Sequence, residues 1–207
     1  MLQPQWGERG DLTHTATKPL PLCWTPGVRV LIVAYGNPLR SDDGLAWRVA
    51  DALEGKFSSR QVEILRLHQL MPELAESVGH VDAVIFVDAA SADAGEHRPG
   101  EIRMEEIHAE KAGSSAQSRF SHHLTPSLVF ALATQLYGAK ARAFSATLTG
   151  KNFDHGESLS AAVHDSLHEF VTRIEVLARE LQSTATGVHA RSTKPLNEIC
   201  TNPDQTP

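Results

Sequence analysis

The sequence predicts a three-layer α/β/α sandwich with a mostly parallel sheet of about five strands. Two short, β-prone runs at residues 28–33 and 83–88, apolar except for Arg29 and the terminal Asp88, read as strands covered on both faces, because a strand with one wet face alternates instead. Between the strand candidates lie segments with apolar residues at three- and four-residue spacing, the pattern of helices that lay one stripe on a sheet. Polar loops that follow a strand and open a helix recur at residues 36–44 and 149–158.

Residues 1–27 carry scattered Pro, Thr and Gly without periodicity and are expected to form a mobile extension. The first unit, VRVLIVAYGNPLRSDDGLAWRVA over residues 28–50, is a strand, a loop holding Gly36, Asn37, Pro38, Ser41, Asp42, Asp43 and Gly44, and a helix. Ala46, Val49, Ala50 and Leu53 form its buried stripe, and Gly55 suits its end. Ser41 or Asp42 is placed to cap this helix, and Asp43 to favour its positive end. Residues 62–67 make a second strand. Leu70, Leu74 and Val78 share one face of a short helix that Met71-Pro72 starts and Gly79 ends.

The strand at residues 83–88 finishes on Asp88. Residues 100–107, with Ile102 and Met104 alternating against charged neighbours, read as an edge strand, and one strand of the sheet is expected to be antiparallel. A polar stretch over residues 110–121 leads to His122 and His123. Thr125-Pro126 then starts a helix, with Leu128, Leu132 and Leu136 as its expected buried stripe and Gly138 as its stop. Residues 144–148 are a strand, and TGKNFDHGES over residues 149–158 opens the last helix, whose stripe is Val163, Leu167, Phe170, Ile174, Leu177 and Leu181. The folded domain is expected at residues 28–182, with residues 183–207 a disordered tail.

Composition narrows the function classes. A net charge of −6 and no Lys/Arg run argue against a nucleic-acid partner, since displacing counterions needs a basic patch. No run approaches the ~20 apolar residues of a spanning helix, and residues 1–24 read neither as a signal peptide nor as an anchor, so no membrane partner is expected. Cys23 and Cys200 lie in the two polar terminal segments, far from any disulfide framework or zinc spacing, which makes a cytoplasmic location the expectation.

Asp43, Asp88 and either His122 or His123 stand apart from the other polar residues, because each falls at an element end that a parallel sheet brings to one rim. Two carboxylates and an imidazole leave coordination positions open and suit nickel, zinc or manganese. Separate capping and turn roles explain the same residues. His164 and His168, four apart on the last helix, read as a solvated face rather than a site. A serine or cysteine nucleophile and a phosphate-cradling loop are disfavoured, since the motifs for each are missing.

Four pieces in order, GNPLRSDDG, VIFVDAA, SHH before a leucine-bearing helix, and LTGKNFDHGESLS, give the chain a resemblance to the hydrogenase maturation proteases over about residues 28–182. The resemblance implies an endopeptidase that removes the C-terminal peptide from the nickel-loaded large-subunit precursor of a nickel-iron hydrogenase. It implies metal contacts at Asp43, Asp88 and His123, with nickel supplied by the substrate, although another divalent metal would suit the same ligands. Asn37 and Asp42 are the candidate substrate contacts. With the metal on the second acid, Asp42 is also a candidate cap, and Asp42→Asn is expected to keep most activity while Asp43→Asn loses it. No nucleophile or general base is assigned. One departure is Ala34-Tyr35, where the family commonly has glycine two residues before its Gly-Asn pair. Gly36-Asn37-Pro38 also resembles the opening of the peptidyl-tRNA hydrolases, but their next loop should carry a histidine where this one has Asp42-Asp43. A nickel-binding maturation factor that does not cut is the remaining alternative.

Overall fold

The first β-prone run forms strand β1 (Val30–Tyr35), buried from Val30 to Ala34. The structure is a computed structural model and describes residues 29–92, 97–108 and 124–189. A 3₁₀ turn (Ser41–Gly44) and helix α1 (Leu45–Leu53) follow, then β2 (Val62–Leu67), α2 (Leu74–Gly79), β3 (Ala83–Ala90), β4 (Ile102–Ile107), α3 (Pro126–Tyr137), β5 (Arg142–Thr149) and α4 (Ala161–His189). The strands lie side by side in the order β2-β1-β3-β5-β4. All pairs are parallel except β4 with β5, which places the antiparallel strand at the edge as its alternating pattern predicts.

Strand alternation divides the core into two layers. Ile32, Ile85, Val87, Phe144 and Leu148 project to one face, where Leu45, Val49 and Leu53 of α1 and Val163, Phe170 and Ile174 of α4 cover them. Leu31, Val33, Val84 and Phe86 project to the other, under Leu74 and Val78 of α2 and Val129, Phe130 and Ala133 of α3. Because both faces are covered, the central strands carry no polar positions until their C-terminal ends.

The structure corrects several local expectations. In α3 the buried residues are Val129, Phe130 and Ala133, whereas Leu128 and Leu132 are only half-buried and Leu136 is 65% exposed. The segment PSLVFALATQLY is apolar nearly all round, so its leucines do not mark the packed face. Its ends follow the expectation. The Thr125 hydroxyl accepts from the Leu128 N–H, Pro126 opens the first turn, and Gly138 closes the helix in the left-handed conformation at φ 65°. Helix α2 begins at Leu74 rather than Met71, after a turn closed by Leu74 N–H to Met71 O. Helix α4 runs to His189, beyond the domain boundary expected at residue 182. The expected N-terminal extension, the polar stretch before α3 and the tail from residue 190 lie outside the described residues.

Candidate functional site

The chain leaves β1, crosses one face through α1 to β2, and returns across the other face through α2 to β3 on the far side of β1. The loops after β1 and β3 therefore diverge and open a crevice between the two strand ends. This is the switch point at which open α/β sheets hold their ligands. Tyr35 ends β1, Asp43 lies in the loop after it, and Asp88 sits near the end of β3, one residue past the Ala34–Val87 pair, as Tyr35 is on β1.

Gly36 lets the loop turn sharply. Its φ of 140° suits only glycine, and an added Cβ would lie 2.1 Å from the Asp43 carbonyl oxygen. The Asp43 carboxylate then folds back, accepting the Asn37 N–H at 3.0 Å, and Asn37 Oδ1 accepts the Leu39 N–H at 3.0 Å. From α1, the Trp47 indole N–H bridges Gly36 O at 3.0 Å and Leu67 O at 3.3 Å, tying the turn to the end of β2. We expect Gly36→Ala to cost on the order of 3 kcal/mol, through strain at positive φ and a backbone clash. Chemical denaturation would measure it, and a loss below about 0.5 kcal/mol would show that the loop can re-form around a side chain.

Neither Ser41 nor Asp42 caps the first helix, since no side-chain cap bond forms at either start. Asp42 is fully buried and reaches across to the loop after β5. Its Oδ2 accepts the N–H groups of Lys151 at 2.8 Å and Asn152 at 2.9 Å, and its Oδ1 accepts that of Ser160 at 2.7 Å, at the threshold of α4. Burial alone would raise its pKa, but these backbone donors outweigh it and hold the carboxyl below the usual range. Further bonds zip the same two loops together, among them Ser41 N–H to Gly156 O, Asp42 N–H to Asn152 O, Gly156 N–H to Leu39 O, and the Ser41 hydroxyl to Asp154 O. The two polar loops that resemble family motifs thus form one body beside the crevice.

Of the two candidate substrate contacts, Asp42 has no exposed surface and Asn37 uses its side-chain oxygen in its own turn. The contacts of Asp42 are internal, which makes it a loop builder, while Asn37 is half-buried and braces its own turn. Asp43 lies near enough to Asp88 for its charge to act there, and each is half-buried. Asp88 Oδ1 accepts its neighbour Ala89 N–H at 2.7 Å, and the Tyr35 hydroxyl hydrogen-bonds to the same carboxylate. Burial pushes the Asp88 carboxyl up to about 6, a rise that the Tyr35 and Ala89 bonds oppose and the Asp43 charge reinforces. Burial, then the Asp88 charge and the hydrogen bond to it, push the Tyr35 phenol up as well. Tyr35 is therefore a donor in this cluster.

His122 and His123 lie outside the described residues; they precede α3, which covers the face toward which Tyr35 packs. Among the described residues no group of three or more His, Cys, Asp or Glu side chains is positioned to hold a metal. His164 and His168 are exposed on α4, as expected of a solvated face. Sequence reasoning missed two participants. Trp47 reads as one more apolar residue of an amphipathic helix, and Tyr35 as an ordinary aromatic at a strand end; the only signal was that Tyr35 stands in the departure before Gly36-Asn37.

No helix among the described residues is long and apolar enough to cross a membrane. No family model matches the sequence. No curated protein matches it either. Solved structures do resemble it. The [NiFe] hydrogenase maturation protease HybD from Thermococcus kodakarensis aligns at 24% identity over 72% of this chain and 99% of that one, with a TM-score of 0.54. The hydrogenase 2 maturation peptidase from Thaumarchaeota archaeon SCGC_AB-539-E09 aligns at 22% identity over 72% and 97%, with a TM-score of 0.53. The hydrogenase maturating endopeptidase HybD from E. coli aligns at 19% over 73% and 93%, with a TM-score of 0.56. With its five-stranded sheet, its helices on both faces and these neighbours, the chain has the fold of the hydrogenase maturation proteases.

Proposed function

We propose that this protein is a cytoplasmic endopeptidase that removes the C-terminal peptide from the nickel-loaded precursor of a nickel-iron hydrogenase large subunit. The observation that carries the reading is the pairing of Asp43 and Asp88 at the β1/β3 switch point of a fold whose solved neighbours are named as such proteases. The buried Asp88 carboxyl lies within reach of the Asp43 charge, and oxygen ligands of this kind suit a divalent ion. In this reading Asp43 and Asp88 engage nickel that is part of the substrate, and His123 supplies the third contact.

The metal would polarise a nearby carbonyl or acidify a bound water. The chain's own part is positional. Asp43 is aimed by the Asn37 N–H, Asp88 by the Ala89 N–H, and the whole rim is braced by Asp42 on the second loop. Metal-loaded precursor then docks where two ligands are already oriented, which links cutting to completed nickel insertion.

The test is to incubate the full chain with nickel-loaded candidate precursors and weigh the products. Release of a C-terminal peptide by wild type, lost in Asp43→Asn with the thermal midpoint changed by less than about 3 °C, supports the reading. Release that survives Asp43→Asn would remove that carboxylate from the site. Nickel-dependent binding without any peptide release would make the protein a maturation factor that does not cut.

A further inference from the structure

Tyr35 is a residue of the rim to which the proposed metal-binding reading gives no part. It ends β1 where Asp88 nears the end of β3, and the two strands are parallel neighbours in register at Ala34–Val87. Leu31, Val33 and Tyr35 alternate to one face of the sheet, and Val84 and Phe86 to the same face, so Asp88 follows them. The phenol ring packs against the core beneath α2 and α3, which fixes its direction. Its hydroxyl hydrogen-bonds to Asp88 and lies near enough to Asp43 to feel that charge as well. A rigid aromatic with two side-chain torsions therefore holds one of the two carboxylates by its outer edge.

Carboxylates that bind metals are commonly held by an outer partner of this kind, which fixes the orientation of the ligand and tunes its basicity. Resting on the reading of Asp43 and Asp88 as metal contacts, we propose that Tyr35 is a positioning residue for nickel engagement, orienting Asp88 by donating its phenolic hydrogen bond. The role depends on the hydroxyl and not on the ring, so Tyr35→Phe removes it while leaving the packing in place.

The probe is nickel(II) alone, titrated into the full chain by calorimetry. Wild type should bind, and Tyr35→Phe should bind about 10- to 100-fold more weakly at an unchanged thermal midpoint. A second readout uses the two tyrosines of the chain, Tyr35 and Tyr137. Nickel should produce a near-ultraviolet tyrosine difference band that persists in Tyr137→Phe and disappears in Tyr35→Phe. The persistence arm needs no change at Tyr35, so it reports even if Tyr35→Phe fails to fold. Wild-type binding that Tyr35→Phe leaves unchanged, or a difference band carried by Tyr137, overturns the positioning role and leaves Asp43 and Asp88 as ligands. Nickel binding absent from wild type, or unaffected by Asp43→Asn, overturns both.

Discussion

Asp42→Asn should destabilise the fold by on the order of 3 kcal/mol, a drop of roughly 6 to 12 °C in thermal midpoint for a chain of this size. The carboxylate accepts three backbone N–H groups with both oxygens, from a position without solvent exposure. An amide has one acceptor oxygen. Turned toward Lys151 and Asn152, it would set its NH₂ group against the Ser160 N–H; turned the other way, it would oppose two donors. Either orientation leaves a buried donor facing a donor, at about 1 to 3 kcal/mol for each unsatisfied group. The cap inferred from sequence is thus real in kind but serves the distant loop before α4, and the expectation that asparagine would serve as well does not survive three simultaneous bonds. Asp43→Asn keeps an acceptor for the single Asn37 N–H and should cost far less. Because the folded carboxyl of Asp42 lies below its unfolded value, its contribution to stability is present above the ordinary carboxylate range and is lost as pH falls through the folded pKa. Thermal midpoints of both variants at neutral pH would check the ranking, and a more damaging Asp43→Asn would reverse the two roles.

Asp88→Asn should do the opposite at neutral pH and raise stability by about 2 to 3 kcal/mol while removing any metal-dependent activity. The folded carboxyl titrates near 6 rather than 3.8, so the folded state binds more protons between those values and stability falls as pH rises across them. Below about pH 3 the acid is largely neutral in both states and imposes almost no cost. Above 6 the full cost of a buried charge, reinforced by the charge of Asp43, is felt. Asparagine can still accept from Tyr35 and the Ala89 N–H without carrying charge. The gain over wild type should therefore be present at pH 7 to 8 and vanish near pH 3, when thermal midpoints are compared in one buffer series. A variant destabilised at every pH would show that Asp88 is structural, with no penalty for function stored at the rim.

The sheet was legible because its strands are buried on both faces and write themselves as apolar runs, as at Val30–Tyr35 and Ala83–Ala90. The last helix was legible for the converse reason, an apolar stripe against a charged face. In α3 the same logic failed, because a segment apolar all round does not say which residues face the sheet, and Val129, Phe130 and Ala133 took the place of the leucines. The positions of Asp43 and Asp88 at one rim followed from strand ends alone. What Asp42 binds did not, since its partners are 109 to 118 residues away in sequence and are backbone groups that any residue would supply. Tyr35 was hidden by its ambiguity: an aromatic at a strand end is core by default, and only its hydroxyl's neighbour makes it part of the site.

The most direct measurement compares one precursor in two states. The full chain is incubated with a nickel-iron hydrogenase large-subunit precursor carrying nickel and with the same precursor stripped of it, and peptide release is followed by mass. If Asp43 and Asp88 engage metal delivered by the substrate, the loaded precursor is cut and the stripped one is not. Equal cleavage of both would contradict that claim.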